Sequence, residues 1–461
     1  MKKQRDCQIC ATPPSFPLSG AEFSRRGFIR LGGLGLVASF FSDAIHPSLL
    51  QAQSAIHPSL NGKAKNCIVI YLEGGASQTD LWDLKEGSWT PANLEPTSYG
   101  EIRWPRGLMP KMADHLGKMA FVRSGLAWVA VHNLAQLWTQ IGRNPASLLG
   151  RIAPHIGAVV ALESYATRKP EDVLPAFIAF ETPKATTGYF PAKYAPFVMR
   201  AGNASTSSLR HPDGNERLDR RLALLEQLDP DRTGALGKEA SDFADFTLTA
   251  RRLTESPDVA ALFAVSGADH LRYGNTTFGD SLILAKQLIA SERGTRFVQA
   301  TSYGWDHHSD IYNAIRNRSR ELDTSLGALL DDLGAMPGSE QGKTLLDETL
   351  VVIYSEFGRT VGYLSPAGGR DHFARMSIVF AGGGVRGNRV IGKTDAQGSK
   401  AVEYGWRGNR DVRPEDVTAT IYSALGIDYT TVRRDDPLNR GFDYVPLARE
   451  GAYEPVSEIF I

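Results

Sequence analysis

The chain has 461 residues, 42% of them hydrophobic and 22% charged, an ordinary make-up for a globular protein. Lys and Arg together number 51, as do Asp and Glu, so the formal net charge is zero and the basic excess expected of a nucleic-acid binder is missing. No apolar run reaches the ~20 residues that span a bilayer, so the mature form is expected to carry no membrane span.

The N-terminal region is the first informative segment. Ser24-Arg25-Arg26-Gly27-Phe28-Ile29-Arg30 precedes a short, mildly apolar run from Leu31 to Phe41. A twin arginine, a large apolar residue two positions on and a short apolar region together match an export signal handled by the twin-arginine translocase. Residues 1–52 are therefore assigned to signal and tether, with Ala44 and Ala52 both suited to the cut. The mature protein is expected in the periplasm or another extracytoplasmic space. Ala44-Ile45-His46-Pro47-Ser48-Leu49 recurs as Ala55-Ile56-His57-Pro58-Ser59-Leu60, a local duplication and not a repeat architecture. Cys7 and Cys10 cannot complete a four-ligand zinc site by themselves. Cys67, alone in an apolar run, reads as a small buried side chain.

Asn66 to Leu72 then reads as a fully buried strand, being apolar and β-branched without alternation. Further strands are expected at Met119–Arg123, Val173–Phe180, Thr295–Ser302, Leu350–Tyr354 and Met376–Ala381. Helices are expected at 133–141, 216–228, 257–265, 277–291, 309–333 and 414–425, the last opened by Arg413-Pro414-Glu415-Asp416. Residues 182–212, rich in Pro, Gly, Ser and Thr, read as a long irregular excursion. The alternation of strand and helix predicts an α/β fold with a central, mostly parallel sheet flanked by helices. One such domain is assigned to residues 66–430, with 431–461 as a C-terminal extension.

Four clusters carry the chemistry, and three of them follow expected strands. Glu73-Gly74-Gly75-Ala76-Ser77 offers a carboxylate and a hydroxyl on a glycine turn. Gly304-Trp305-Asp306-His307-His308 places Asp and His at i and i+2, where an extended backbone lets both face one ion; Asp306 and Ser309 equally suit a helix cap. Ser355-Glu356-Phe357-Gly358-Arg359-Thr360 offers a metal ligand or base together with an anion-gripping guanidinium, or simply a Glu–Arg pair that holds a loop. In Gly369-Arg370-Asp371-His372, Asp371 would ligate directly or orient His372. Loops after parallel strands converge on one sheet edge, where ligands bind. His132-Asn133, after the second strand, would reach the same edge or serve as a cap. Gly382-Gly383-Gly384-Val385-Arg386-Gly387 fits a dinucleotide pattern, but no helix start follows it, so it reads as a glycine turn.

Together with Ala381-Gly382-Gly383-Gly384 and the twin-arginine leader, these clusters resemble a bacterial family of exported proteins still called a domain of unknown function. That family is related to the alkaline phosphatase and sulfatase superfamily. Weaker similarity around His132-Asn133-Leu134-Ala135, Leu174-Pro175-Ala176-Phe177 and Arg217-Leu218-Asp219 extends the match over roughly residues 66–430. The resemblance implies an alkaline phosphatase/sulfatase-like sheet, one or two divalent metals at the strand ends, and a Ser, Thr or Cys-derived nucleophile. It sets Glu73 near the first-strand acidic ligand, Asp306 and His308 at the Asp/His pair, and His372 at the late His.

Two departures stand out. Phe357 occupies the His of an Asp-His dipeptide, and Val131-His132-Asn133-Leu134 holds no Ser, Thr or Cys where the nucleophile belongs. The expectation is an exported, metal-dependent hydrolase of small anionic phosphate or sulfate esters. In it, Glu73, Asp306, His308, Glu356, Asp371 and His372 surround a divalent metal: zinc, manganese, magnesium or calcium. Ser77 and His132 are further catalytic candidates, and Arg359 and Arg370 would stabilise the anionic transition state. The alternative is a non-catalytic exported binding or assembly protein that keeps the sulfatase-like fold.

Overall fold

The computed structural model describes residues 60–182, 184–202, 215–228 and 257–460. The expected signal and tether, residues 1–52, together with Cys7, Cys10, His46, His57 and His211, lie outside the described residues. An eight-stranded sheet is built from β1 (Asn66–Leu72), β2 (Met119–Leu126), β3 (Phe177–Phe180), β4 (Phe197–Met199), β5 (Phe297–Ser302), β6 (Thr349–Tyr354), β7 (Arg375–Ala381) and β8 (Arg389–Ile391). Its order is β8-β2-β7-β6-β1-β5-β3-β4. Every neighbouring pair is parallel except those made by β7, which runs against both β6 and β2. The mostly parallel sheet expected from the alternating pattern is therefore present.

Side-chain alternation divides the interior into two cores. From β1, Ile68, Ile70 and Leu72 enter one core with α4 (Thr277–Ala290) and α5 (Ile311–Ala335). Cys67, Val69 and Tyr71 enter the other with α2 (Ile156–Tyr165) and α6 (Pro414–Ala424). A strand covered on both faces has no solvent side, which explains its continuous apolar run. Burying each such side chain contributes about 1.5–3 kcal/mol. Cys67 is a buried free thiol, and burial pushes its pKa upward. The segment beyond residue 430 adds Phe442, Tyr444, Val456 and Ile459 to this second core.

Two other helices meet their expected positions closely: α1 (His132–Ile141) and α3 (Asn215–Leu228). β3 is shorter than expected and begins at Phe177. Pro175 has no N–H to give a ladder, so pairing starts only beyond it. The short edge strands β4 and β8 are additions, the former inside the stretch expected to be irregular. Helix α2 is also new; Ile156 to Ala161 are all buried, so no polar face marks its period. Gly382 to Gly384 do form a turn, followed by β8 and not by a helix.

Candidate functional site

The sheet topology places the site. β5, β1 and β6 are adjacent and parallel, so Glu73, Asp306 and Glu356 leave the same carboxyl edge. β7 is antiparallel, so its beginning, next to His372, lies where its neighbours end. β2 ends at this edge too and leads through Ala130 into His132 at the start of α1.

Glycines 74 and 75 let these segments close. Gly74 has φ +117° and Gly75 φ +73°, and a Cβ on Gly74 would stand 2.6 Å from the Asp306 nitrogen. A Cβ on Gly75 would stand 2.7 Å from the Phe357 ring. Only glycine combines that backbone with that approach.

Three imidazoles meet one carboxylate in the resulting hollow. One ligand atom from each of His132, Asp306 and His372 lies within 4.8 Å of the others. His308 Nε2 is 2.9 Å from Asp306 Oδ1 and 3.1 Å from His372 Nε2. The far side of each ring is fixed by an acceptor. His132 Nδ1 meets Glu356 Oε1 at 2.8 Å, His308 Nδ1 meets Asp371 Oδ1 at 2.9 Å, and His372 Nδ1 meets the Ala130 carbonyl at 3.1 Å. Carbonyl and carboxylate oxygens accept, so His132 and His372 carry the proton on Nδ1 and present an Nε2 lone pair inward. His308, by contrast, lies between two carboxylates, Asp371 at Nδ1 and Asp306 at Nε2. His132 Nε2 is enclosed and has no hydrogen-bond partner. Three Nε2 atoms and a carboxylate oxygen gathered this closely, with the His132 nitrogen unpartnered, are the arrangement a cation would satisfy.

Local charge agrees. Glu73, Asp306, Glu356 and Asp371 bring four carboxylates to the cluster, and Arg359 and Lys184 bring positive charge. The Glu356 hydrogen bond holds His132 above the usual imidazole range, opposing burial. Burial and the Arg359 charge hold His372 below it. Burial pushes Asp306 upward, but the Arg359 hydrogen bond and charge outweigh it and hold the carboxyl below its usual range. Burial, reinforced by Glu356, raises Glu73. A donor set of imidazoles and one carboxylate, with carboxylate-oriented rings, fits a divalent cation of the zinc or manganese type better than magnesium or calcium.

The predicted residues divide accordingly. Asp306, His308 and His372 come together, with Asp371 and Glu356 each holding a ring and not facing the hollow. Glu73 stands beside them, bonded to Gln136 at 2.9 Å. Phe357 packs its ring 4.8 Å from both His132 and His372, so an imidazole from α1 stands over the residue that cannot ligate. His307 turns into the buried interior, and burial lowers its pKa.

The two arginines require a correction, because neither has a free edge for a substrate oxyanion. Arg359 is fully buried and donates to the carbonyls of Gly74, Gly75 and Arg370 and to Asp306 Oδ1. Its Nη1 also lies 3.4 Å from His308 Nε2. Arg370 grips Asp80 at 2.8 and 3.1 Å and donates to the carbonyls of Thr360 and Gly362. Ser77 is drawn into that second network, donating to Asp80 Oδ2 at 2.6 Å. Ser124 donates to the Tyr404 carbonyl. Among the described residues, no Ser, Thr or Tyr hydroxyl bonds to Asp306, His132, His308 or His372.

Gln136 and Lys184 are the members that sequence reasoning missed. Gln136 lies one helical turn after His132 and reaches Glu73, while Lys184 reaches Gln136 Oε1 at 2.6 Å and Asn133 Oδ1 at 3.1 Å. The i, i+4 spacing of His132 and Gln136 was the only sequence signal that linked them.

The sequence profile of a family described as "Protein of unknown function (DUF1501)" matches residues 64–436, and the chain belongs to that family. No curated protein matches it in sequence. Solved structures similar to it include the lipoteichoic acid synthase LtaP from Listeria monocytogenes, at 10% identity over 85% of this chain and 79% of that one, with a TM-score of 0.37. A protein in the alkaline phosphatase superfamily from Vibrio parahaemolyticus is 11% identical over 80% of this chain and 69% of its own, at 0.36. The C-terminal periplasmic domain of EcEptC from Escherichia coli, in complex with Zn, is 9% identical over 85% and 97%, at 0.38. No helix among the described residues is long and apolar enough to cross a membrane.

Proposed function

We propose that this protein is an exported, metal-dependent hydrolase of phosphate or sulfate esters, with His132, His308, His372 and Asp306 around one divalent cation. The observation that carries the reading is the inward convergence of three Nε2 atoms whose Nδ1 atoms each meet an oxygen acceptor on the far side of the ring. A bound divalent ion would supply Lewis-acid polarisation of an ester oxygen.

The remaining steps belong to the chain. Glu356 and Asp371 orient His132 and His308, and Arg359 positions Asp306 and lends a fixed positive field to the hollow. Glu73 is raised by burial and stands within the fields of Glu356 and His132, so it is suited to take a proton from an attacking water. With Ser77 committed to Asp80 and no hydroxyl among the described residues bonded to the cluster, the reading is direct attack by water and not a covalent relay through Ser77.

The test is metal analysis of the purified protein, followed by assays with aryl phosphate, bis-aryl phosphate and aryl sulfate. The expected result is close to one zinc or manganese per chain and hydrolysis that disappears in Asp306→Ala and His372→Ala. A metal-free protein, inert or with activity unchanged by both substitutions, would favour the non-catalytic binding or assembly protein.

A further inference from the structure

A cavity of about 570 Å³ lies beside α1, between the residues that follow that helix and the C-terminal segment. Its size suits a small organic ligand. Trp128 and Trp138 stack at 5.9 Å and 25° along one wall. Their indole N–H groups both donate to the buried Glu415 carboxylate, at 2.9 and 2.7 Å, which fixes the rings and leaves that carboxylate satisfied. Leu148 and Leu447 are each 53% exposed at the cavity, and Leu447 holds the left-handed φ of +55° that leucine rarely adopts.

Arg143 gives the cavity its polarity. It is only 3% exposed, yet no carboxylate lies within 4 Å of it among the described residues. Its guanidinium sits 4.0 Å over the Phe442 ring, donates to the Asp443 carbonyl, and leaves Nε without a partner. Burial drags this guanidinium down to about 10, and the Asp443 and Glu415 charges offset that only in part. Arg440 adds a second cation at the cavity. Asp443 and Glu415 are the opposing charges there, and burial pushes both carboxyls upward.

We propose that this cavity binds an amphipathic organic anion, its hydrocarbon body against the indoles and leucines and its single acidic head on Arg143. The site is separate from the histidine cluster and does not depend on the hydrolase reading.

Decanoate and decanol are the probes, titrated into the full chain by calorimetry and by tryptophan fluorescence. The expected result is one saturable decanoate site that perturbs indole emission, with decanol at least tenfold weaker. Arg143→Gln should weaken decanoate at least tenfold. Leu447→Asp, at an exposed position whose backbone suits Asp, should do the same without unfolding the protein. No saturable decanoate site, equal binding of decanol, or unchanged binding by Leu447→Asp would overturn the proposal.

Discussion

Two aspartate–arginine pairs lie close together at the carboxyl edge of the sheet, and they behave as opposites. Asp80 is 1% exposed and fully occupied by Ser77 and Arg370. Asp306 is 46% exposed and shares its oxygens among Arg359, His308, His132 and His372. Both arginines are buried, and both sit in motifs that look catalytic when read as letters. The difference lies in what is left over: the Asp80 network closes on itself, whereas the Asp306 cluster leaves His132 Nε2 without a hydrogen-bond partner among the described residues. Saturation marks a structural element; unmet donors and acceptors mark a place for a ligand.

The largest expected effect tests the closed network. Asp80→Ala would strand the Arg370 guanidinium in the interior and should destabilise the fold by about 3–5 kcal/mol, read from urea denaturation. If stability is instead unchanged while metal content falls, the two pairs are not distinct.

Glu356→Gln should leave the fold close to wild type but weaken metal binding by about 10- to 100-fold, because the partner that orients His132 loses its charge. Equilibrium dialysis with zinc measures this. A chelator sharpens the contrast further. Stripping the metal should lower the stability of the wild type by about 2.7 kcal/mol for an ion that had been at a hundred times its Kd, read as a fall in melting temperature, and leave Asp306→Ala where it was.

His155 provides the test farthest from the cluster's chemistry, since it is a buried imidazole with no claim to a site. Its Nδ1 accepts the Gly157 N–H that caps α2, and burial lowers its pKa to about 3. The unfolded chain therefore binds the proton that the folded chain refuses. This contribution to stability is complete above the unfolded value near 6.5 and declines as pH falls from there towards 3. The slope should be at most about 1.4 kcal/mol per pH unit and should vanish in His155→Asn, which retains a cap acceptor.

The sequence made the sheet legible because β1, β5 and β6 are covered on both faces and so appear as continuous apolar runs. It hid α2 for the same reason, since a helix buried along most of its length shows no period, and it hid β4 and β8 because three residues cannot alternate visibly. The positions of Asp306, His308 and His372 were readable from their places beside strands. The fate of Arg359 and Arg370 was not, because most of their partners are backbone carbonyls, which every residue possesses. His132 was harder still: its importance depends on a helix start and on the ring of Phe357, two features separated by more than two hundred residues.

That separation bears on timing. The inward-facing groups come from positions 132, 306, 308 and 372, and the acceptors that aim them from 130, 356 and 371. No nascent chain that stops short of residue 372 contains the site, and no local hairpin or helix pair can rehearse it. Any ion must enter a finished sheet, after β6 and β7 have taken their places, so metal acquisition becomes a report on completed folding and not a nucleus for it.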